Sequence, residues 1–458
     1  MGIVVLMAAA AVAATPGTLR VDFFHTGSAT EELLSLDGLA IEGAWPGPLS
    51  RTIDETDLGR YLFEVRDLPS NALLFSRGFA SIYGEWETTD EARTVRRTFH
   101  ESLRFPRPVR RAQVIVKKRD VERGGFRELW SYSFDPTDAL IDRSGPPADV
   151  TVWPVQQNGP SAQKVDLLLI GDGYTAAEMS KWHSDARRLT AELFKASPFK
   201  ENQQRFNVWA IDVPAAQSGV ARPSSGTYRH SPARATYDAF GSERYLLSFD
   251  NKRWREIAAA APYEFVEIVT NTRTYGGGGI FNLYATVAAD NAFTPYVFVH
   301  EFGHHFAGLA DEYYTSDVAY TAGSERPEPW EPNVTANATT PKWNDLIAAD
   351  TPRPTPWDKQ PFETYQREIQ ARRRAIRAAG KPESEMEALF REELAGTIKL
   401  LGAGAHAKVV GSFEGANYES TGYYRSQADC IMFTRNLEGG FCAACRRAIQ
   451  RVIDLYAP

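Results

Sequence analysis

The sequence predicts a multidomain α+β fold: an N-terminal β-sandwich, then an α/β domain that carries a helical insert. Three observations point to it. The chain has 458 residues, more than one core of ordinary size encloses. Up to about residue 135 strand-like runs dominate, whereas later strands alternate with helical patterns. A stretch rich in Pro, Gly and polar residues separates the two regions.

The chain opens with MGIVVLMAAAAVAATPG, apolar from Ile3 to about Ala14 and too short to cross a bilayer. The small-residue pattern Ala11-Val12-Ala13, followed by Pro16 and Gly17, predicts a secretory signal over residues 1–14, cleaved near Ala13. No Lys or Arg precedes Arg20, so the usual charged start is missing. The expected location is extracellular or periplasmic. No other run is long enough for a membrane helix.

Residues 18–141 are expected to form the sandwich. Leu19–His25, Ala112–Asp120 and Arg127–Asp135 read as strands, with Arg123–Gly125 as a hairpin turn. Residues 142–160 read as a linker. The remaining domain, 161–458, begins with a buried strand, a glycine turn and an amphipathic helix in KVDLLLIGDGYTAAEMSKWHSDARRLTAELFK. Arg205–Val213, Tyr263–Asn271 and Ile280–Ala288 are expected as further strands. Gly171–Ala176 matches the dinucleotide fingerprint G-x-G-x-x-G/A, but a lone match is weak because any tight strand-to-helix turn favours glycine. The insert, about 362–401, reads as two helices broken at Gly380–Pro382, with Arg372–Arg374 on a solvated face.

A net charge of -7 leaves no electrostatic footprint for nucleic acid, so DNA or RNA is not an expected partner. The chemistry concentrates in His300–Tyr314, HEFGHHFAGLADEYY. Residues four apart on a helix share a face, so His300 and His304 can reach one Zn²⁺. Glu301 follows the first histidine and flanks such an ion without ligating it, where a general base belongs. His305 points away and is expected to pack. A catalytic zinc site needs a third ligand and an open position. Gly308 can turn the chain back, one residue later than in H-E-x-x-H-x-x-G-x-x-H, so that Asp311 ligates; Glu312 is the rival. The three cysteines, Cys430, Cys442 and Cys445, are too few for a disulfide scaffold. A lone Cys-x-x-Cys falls short of a four-ligand metal site, and a structural disulfide involving Cys430 is expected.

With these residues in place, the sequence resembles the bacterial IgA-peptidase family of zinc metallopeptidases. HEFGHHFAGLADEYY carries the resemblance, supported by DLLLIGDGYTAAEM upstream and by FEGANYESTGYYRSQADCIMFTRN and FCAACRRAI downstream. The N-terminal region also looks like the domain that precedes the catalytic one in that family. The resemblance implies a metzincin-like catalytic domain with one zinc ion, His300 and His304 as ligands, Glu301 as base and the third ligand from Asp311 or Glu312. By analogy with metzincins, Met432 would form the Met-turn beneath the ion, and a disulfide from Cys430 to Cys442 or Cys445 could brace it. It turns Gly171–Ala176 into a structural turn. Tyr424 is the expected oxyanion donor, with Tyr313 and Tyr314 as rivals. The expected function is that of a secreted zinc-dependent endopeptidase acting on a protein or peptide, paired along the segment Tyr275–Ala288, in which four glycines follow Tyr275. The alternatives are a non-catalytic binding module that keeps a zinc site, or a zinc hydrolase of a non-protein amide.

Overall fold

A computed structural model describes residues 15–121, 123–316, 318 and 326–457. The expected signal segment, 1–14, lies outside the described residues. The N-terminal region comprises β1 (Gly17–Gly27), β2 (Glu32–Ala44), β3 (Tyr61–Asp67), β4 (Leu73–Phe79), the short helix α1 (Ile82–Trp86), β5 (Arg97–Pro106), β6 (Ala112–Arg119) and β7 (Phe126–Phe134). They form two antiparallel sheets, ordered β2-β1-β5 and β4-β3-β6-β7. Every second residue of the central strands points into the space between the sheets. Leu19, Val21 and Phe23 meet Phe63, Val65, Val114 and Val116 there, which makes the pair a sandwich. The hairpin between β6 and β7 turns at Gly124 and Gly125, with φ of 75° and 76°.

The other face of the three-stranded sheet is not left to water. Asn251 donates to Ser102 Oγ at 2.7 Å, and Arg104 donates to the Tyr263 carbonyl at 2.9 Å. Arg20 and Asp22 are therefore buried, and they pair with each other at 2.9 Å. His25 is buried too, between Glu101 on Nδ1 and Glu32 on Nε2, both at 2.9 Å, and stacked 3.9 Å from Tyr83. Burial opposes its charge, but the two carboxylates outweigh it and raise the imidazole from 6.5 to about 9. A raised folded-state value stabilises the fold fully below the unfolded value and loses that contribution as pH rises through the folded one. Urea-denaturation midpoints measured between pH 6.5 and pH 9 are therefore expected to fall. The loss is of the order of 3 kcal/mol, and a His25→Gln variant is expected to flatten this part of the profile.

The second region contains β8 (Thr151–Gln156), β9 (Val165–Asp172), α2 (Met179–Leu193), β10 (Phe206–Asp212), β11 (Ala235–Thr236), β12 (Leu247–Ser248), α3 (Asn251–Ala258), β13 (Phe265–Thr270), β14 (Gly277–Ile280), β15 (Tyr284–Ala288), α4 (Thr294–Ala307), β16 (Val334–Thr335), α5 (Lys359–Ala378), α6 (Glu383–Gly402), β17 (Phe413–Ala416), β18 (Glu419–Arg425) and α7 (Ala443–Tyr456). Six strands form one sheet in the order β14-β15-β13-β9-β10-β8. The inner four run parallel, and both edge strands are antiparallel to their neighbours. β9 is buried along its whole length, as the apolar run Leu167–Ile170 at its centre requires of a central parallel strand. β16, β18 and β17 make a separate small sheet.

Three expectations change, and the structural reading of the glycine turn holds. The stretch read as linker contains β8, which pairs with β10 because Val152 and Trp153 pack on the main core. Ile280–Ala288 is not one strand: Ile280 ends β14, residues 281–283 turn, and Tyr284–Ala288 form β15. Within the insert, α5 and α6 lie as expected, but Arg373 is buried, with its guanidinium 5.8 Å from the Phe390 ring and 3.5 Å from Glu243. Arg372 stays outside and pairs with Glu392 at 2.6 Å. The glycine turn after β9 is structural. A Cβ on Gly171 would stand 2.7 Å from Trp182, and Gly173 has φ of 77°. Glu178 accepts from the Thr175 amide at 2.9 Å in a capping box, which fills the helix start that a phosphate would need.

Candidate functional site

α4 packs against β14 and β15, and only glycine lets the strand come so close. A Cβ on Gly279 would stand 2.3 Å from the Glu301 carbonyl and 2.9 Å from His304 Cβ. The helix ends at Gly308, whose φ of 59° is left-handed and which turns the chain back as the spacing predicts. His304 Nδ1 then meets the Leu309 carbonyl at 2.5 Å. His300 Nδ1 meets the Ile431 carbonyl at 2.9 Å. A ring nitrogen facing a carbonyl carries a proton, so Nε2 is the atom that each ring, when neutral, offers a metal.

Those nitrogens converge. His300 Nε2 and His304 Nε2 lie 3.1 Å apart. Asp311 Oδ1 lies 3.1 Å from the first and 3.3 Å from the second. It is buried and has no hydrogen-bond donor of its own. Three such atoms this close repel one another unless a proton or a metal ion lies between them, and the ion pair with Asp311 raises His304 to about 9 against the effect of burial. Ligands about 2.0–2.2 Å from a tetrahedral centre are spaced about 3.3–3.6 Å apart, close to what these atoms show. The three residues fit a metal ion with a fourth position open. Glu301 adds a carboxylate oxygen within 4.8 Å of a ring nitrogen of both histidines. Burial raises its carboxyl above the usual range, against the pull of His300 and His304.

Around this set lie Tyr418 and Arg244, which the sequence did not single out, beside Met432 and His305, which it did. Tyr418 donates to Asp311 Oδ2 at 2.6 Å, fixing the carboxylate so that Oδ1 faces the histidines. Tyr418 sits in a left-handed turn between β17 and β18, with φ of 64°, and its amide bonds to the Tyr313 carbonyl. Arg244 donates to Tyr313 Oη at 3.1 Å. Met432, the expected floor residue, is buried under α4, its sulfur 3.3 Å from where a Gly303 Cβ would stand. His305 is buried on the far side of α4. It accepts from the Val266 amide at 3.0 Å and is held neutral by burial, lowered to about 3.

Three site expectations change. Glu312 turns away from the histidines and toward the cysteines, with Oε1 at 3.5 Å from Cys442 Sγ. Tyr424 is not among the residues lining the cleft. β18 alternates, so its neighbour Tyr423 faces the cleft instead, together with Tyr313 and Tyr418. The disulfide is absent: all three cysteines are free thiols, with sulfurs 3.2 Å and 3.8 Å apart against about 2.05 Å for a bond.

The cleft over the site encloses about 490 Å³. The N-terminal sandwich supplies part of its wall through Arg60, Glu85 and Thr88, and Ala80 donates to the Phe281 carbonyl at 3.0 Å. The edge of β14, expected to pair with an extended peptide, is occupied at both ends. Gly277 bonds to Arg244 and Leu246, and Phe281 to Ala80, while Tyr275, Gly277, Gly279 and Phe281 all border the cleft.

No curated protein matched the chain. A family model described as Peptidase M64 N-terminus matches residues 12–131, the sandwich. One described as IgA Peptidase M64 matches residues 153–453, from β8 into α7, with His300, Glu301, His304 and Asp311 inside the match. The chain is a member of the IgA peptidase M64 family, a family of peptidases.

Proposed function

We propose that the chain is an exported zinc-dependent endopeptidase with a metzincin-like site, in which His300, His304 and Asp311 hold Zn²⁺ and Glu301 is the general base. One observation carries the reading: two imidazole nitrogens and a carboxylate oxygen, at 3.1, 3.1 and 3.3 Å from one another, share one buried point. Two imidazoles and a carboxylate with an open fourth position suit catalytic zinc, which when bound supplies Lewis acidity toward water and toward a carbonyl oxygen.

The chain's own groups do the rest. Glu301 takes a proton from the attacking water and returns it to the leaving amine nitrogen. The Tyr313 hydroxyl, accepting from Arg244, keeps its own proton for the oxygen on which charge develops, the role expected of Tyr424. The cleft walls exclude water and hold a few residues of substrate. Export rests on the N-terminal apolar run, and the amino-terminal sequence of the secreted protein is expected to begin just after Ala13.

A chelator tests the reading. Dialysis against 1,10-phenanthroline is expected to abolish cleavage of an unfolded protein such as casein, and added Zn²⁺ is expected to restore it. Cleavage that persists in metal-free protein would rule zinc out.

A further inference from the structure

A second cluster stands apart from the histidines, built by the three cysteines that the hydrolytic site does not use. Cys442 Sγ and Cys445 Sγ are 3.2 Å apart, and Cys430 Sγ is 3.8 Å from Cys445 Sγ. Glu312 Oε1 is 3.5 Å from Cys442 Sγ and 3.4 Å from Cys445 Sγ. All four ligand atoms lie within 4.8 Å of one another, and all four residues are buried. Around zinc, with bonds of about 2.3 Å to sulfur and 2.0–2.2 Å to oxygen, a tetrahedron spaces its sulfurs about 3.8 Å apart and sulfur from oxygen about 3.5 Å.

We propose that Cys430, Cys442, Cys445 and Glu312 hold a second, structural metal ion of the zinc class. The surroundings are built for thiolates. Cys430 Sγ accepts from the amides of Met432 at 3.4 Å and Cys442 at 3.2 Å, and Cys442 Sγ accepts from the Cys445 amide at 3.5 Å. Cys442 also caps α7, so the positive end of that helix faces the sulfurs. The carboxylate is held in place: Asn333 donates to Glu312 Oε1 at 3.0 Å, while Oε2 is buried without any hydrogen-bond partner. A carboxylate so placed needs a cation. Three thiolates and a carboxylate carry four negative charges. A divalent ion cancels two, and the buried guanidinium of Arg425 lies within electrostatic reach of Glu312 and Cys430. Binding releases the thiol protons to solvent.

With Cys430 and Glu312 added, the Cys-x-x-Cys pair has the four ligands it lacked when read alone. All four positions of this ion are protein atoms, so it serves the fold and not the reaction. It stands whatever reaction the first site performs. Its place explains what it does. Glu312 follows Asp311, its amide bonds to the Met432 carbonyl at 2.8 Å, and Cys430 precedes Ile431, whose carbonyl orients His300. The ion ties both segments that aim the hydrolytic ligands.

Zinc X-ray absorption on the wild-type chain, purified under reducing conditions and loaded with zinc alone, tests this. Two equivalents are expected, with zinc–sulfur scattering near 2.3 Å averaging about 1.5 sulfurs per zinc. A His300→Ala, His304→Ala variant is expected to keep one equivalent and to rise to about 3 sulfurs per zinc. Spectra without zinc–sulfur scattering at any stoichiometry overturn the proposal. So does an intact mass short of two hydrogens, the mark of a disulfide, in protein that binds no zinc through sulfur. The wild-type measurement does not depend on the variant folding.

Discussion

Glu301→Gln is expected to lower kcat/KM by about 10²–10⁴-fold while KM and zinc content stay near wild-type values. The amide keeps the size and shape of the carboxylate, so the packing of α4 on β14 survives. Only basicity is lost. Glu301 lies close to both imidazoles, yet it is not one of the three atoms that meet at 3.1–3.3 Å. Removing it should therefore leave the ligands untouched. The variant is expected to be at least as stable as wild type, because a carboxyl whose burial opposes its charge has gone. Steady-state kinetics, metal analysis and a thermal melt on the same preparation check all three points. A variant that folds, binds zinc and cleaves at the wild-type rate removes Glu301 from the mechanism.

Asp311→Ala is expected to have the second largest effect, through the metal and not through the proton. It deletes the oxygen that completes the three-ligand set and leaves two imidazoles to hold the ion. Supporting residues around a metal ligand cost about 10–100-fold in affinity when lost, and a ligand itself should cost more. Zinc content is expected to fall by one equivalent, and cleavage to fall to background. Tyr418→Phe, which keeps the ligand but frees its orientation, is expected to fall within that smaller range. Unchanged zinc content and activity in Asp311→Ala would return the role to another carboxylate.

The heart of the site was legible because it is local. His300, Glu301 and His304 lie on one helical turn, and Gly308 and Asp311 follow within another, so helix period and turn chemistry suffice to bring them together. The extra residue before Gly308 did not change the outcome, because the left-handed cap still aims Asp311 back at the rings. What was not legible is what the fold brings from a distance. Tyr418 reaches Asp311 from a turn between β17 and β18, and no spacing rule links the two. Tyr424 and Tyr423 are adjacent, and the sequence alone does not say which face of β18 looks into the cleft. Glu312 and Asn333 join the cysteines from segments far apart in the chain, which is why Cys430, Cys442 and Cys445 read as a disulfide. At fold level the parallel strands were visible as apolar runs. β8 was hidden, because Pro154 and its polar neighbours make an edge strand look like a loop.

Anomalous diffraction at the zinc edge, from crystals of the zinc-loaded chain, measures the central claim directly. The account predicts a peak about 2.0–2.2 Å from His300 Nε2, His304 Nε2 and Asp311 Oδ1 together. Density at that point with no anomalous signal, or an ion bound to a different set of residues, would contradict it.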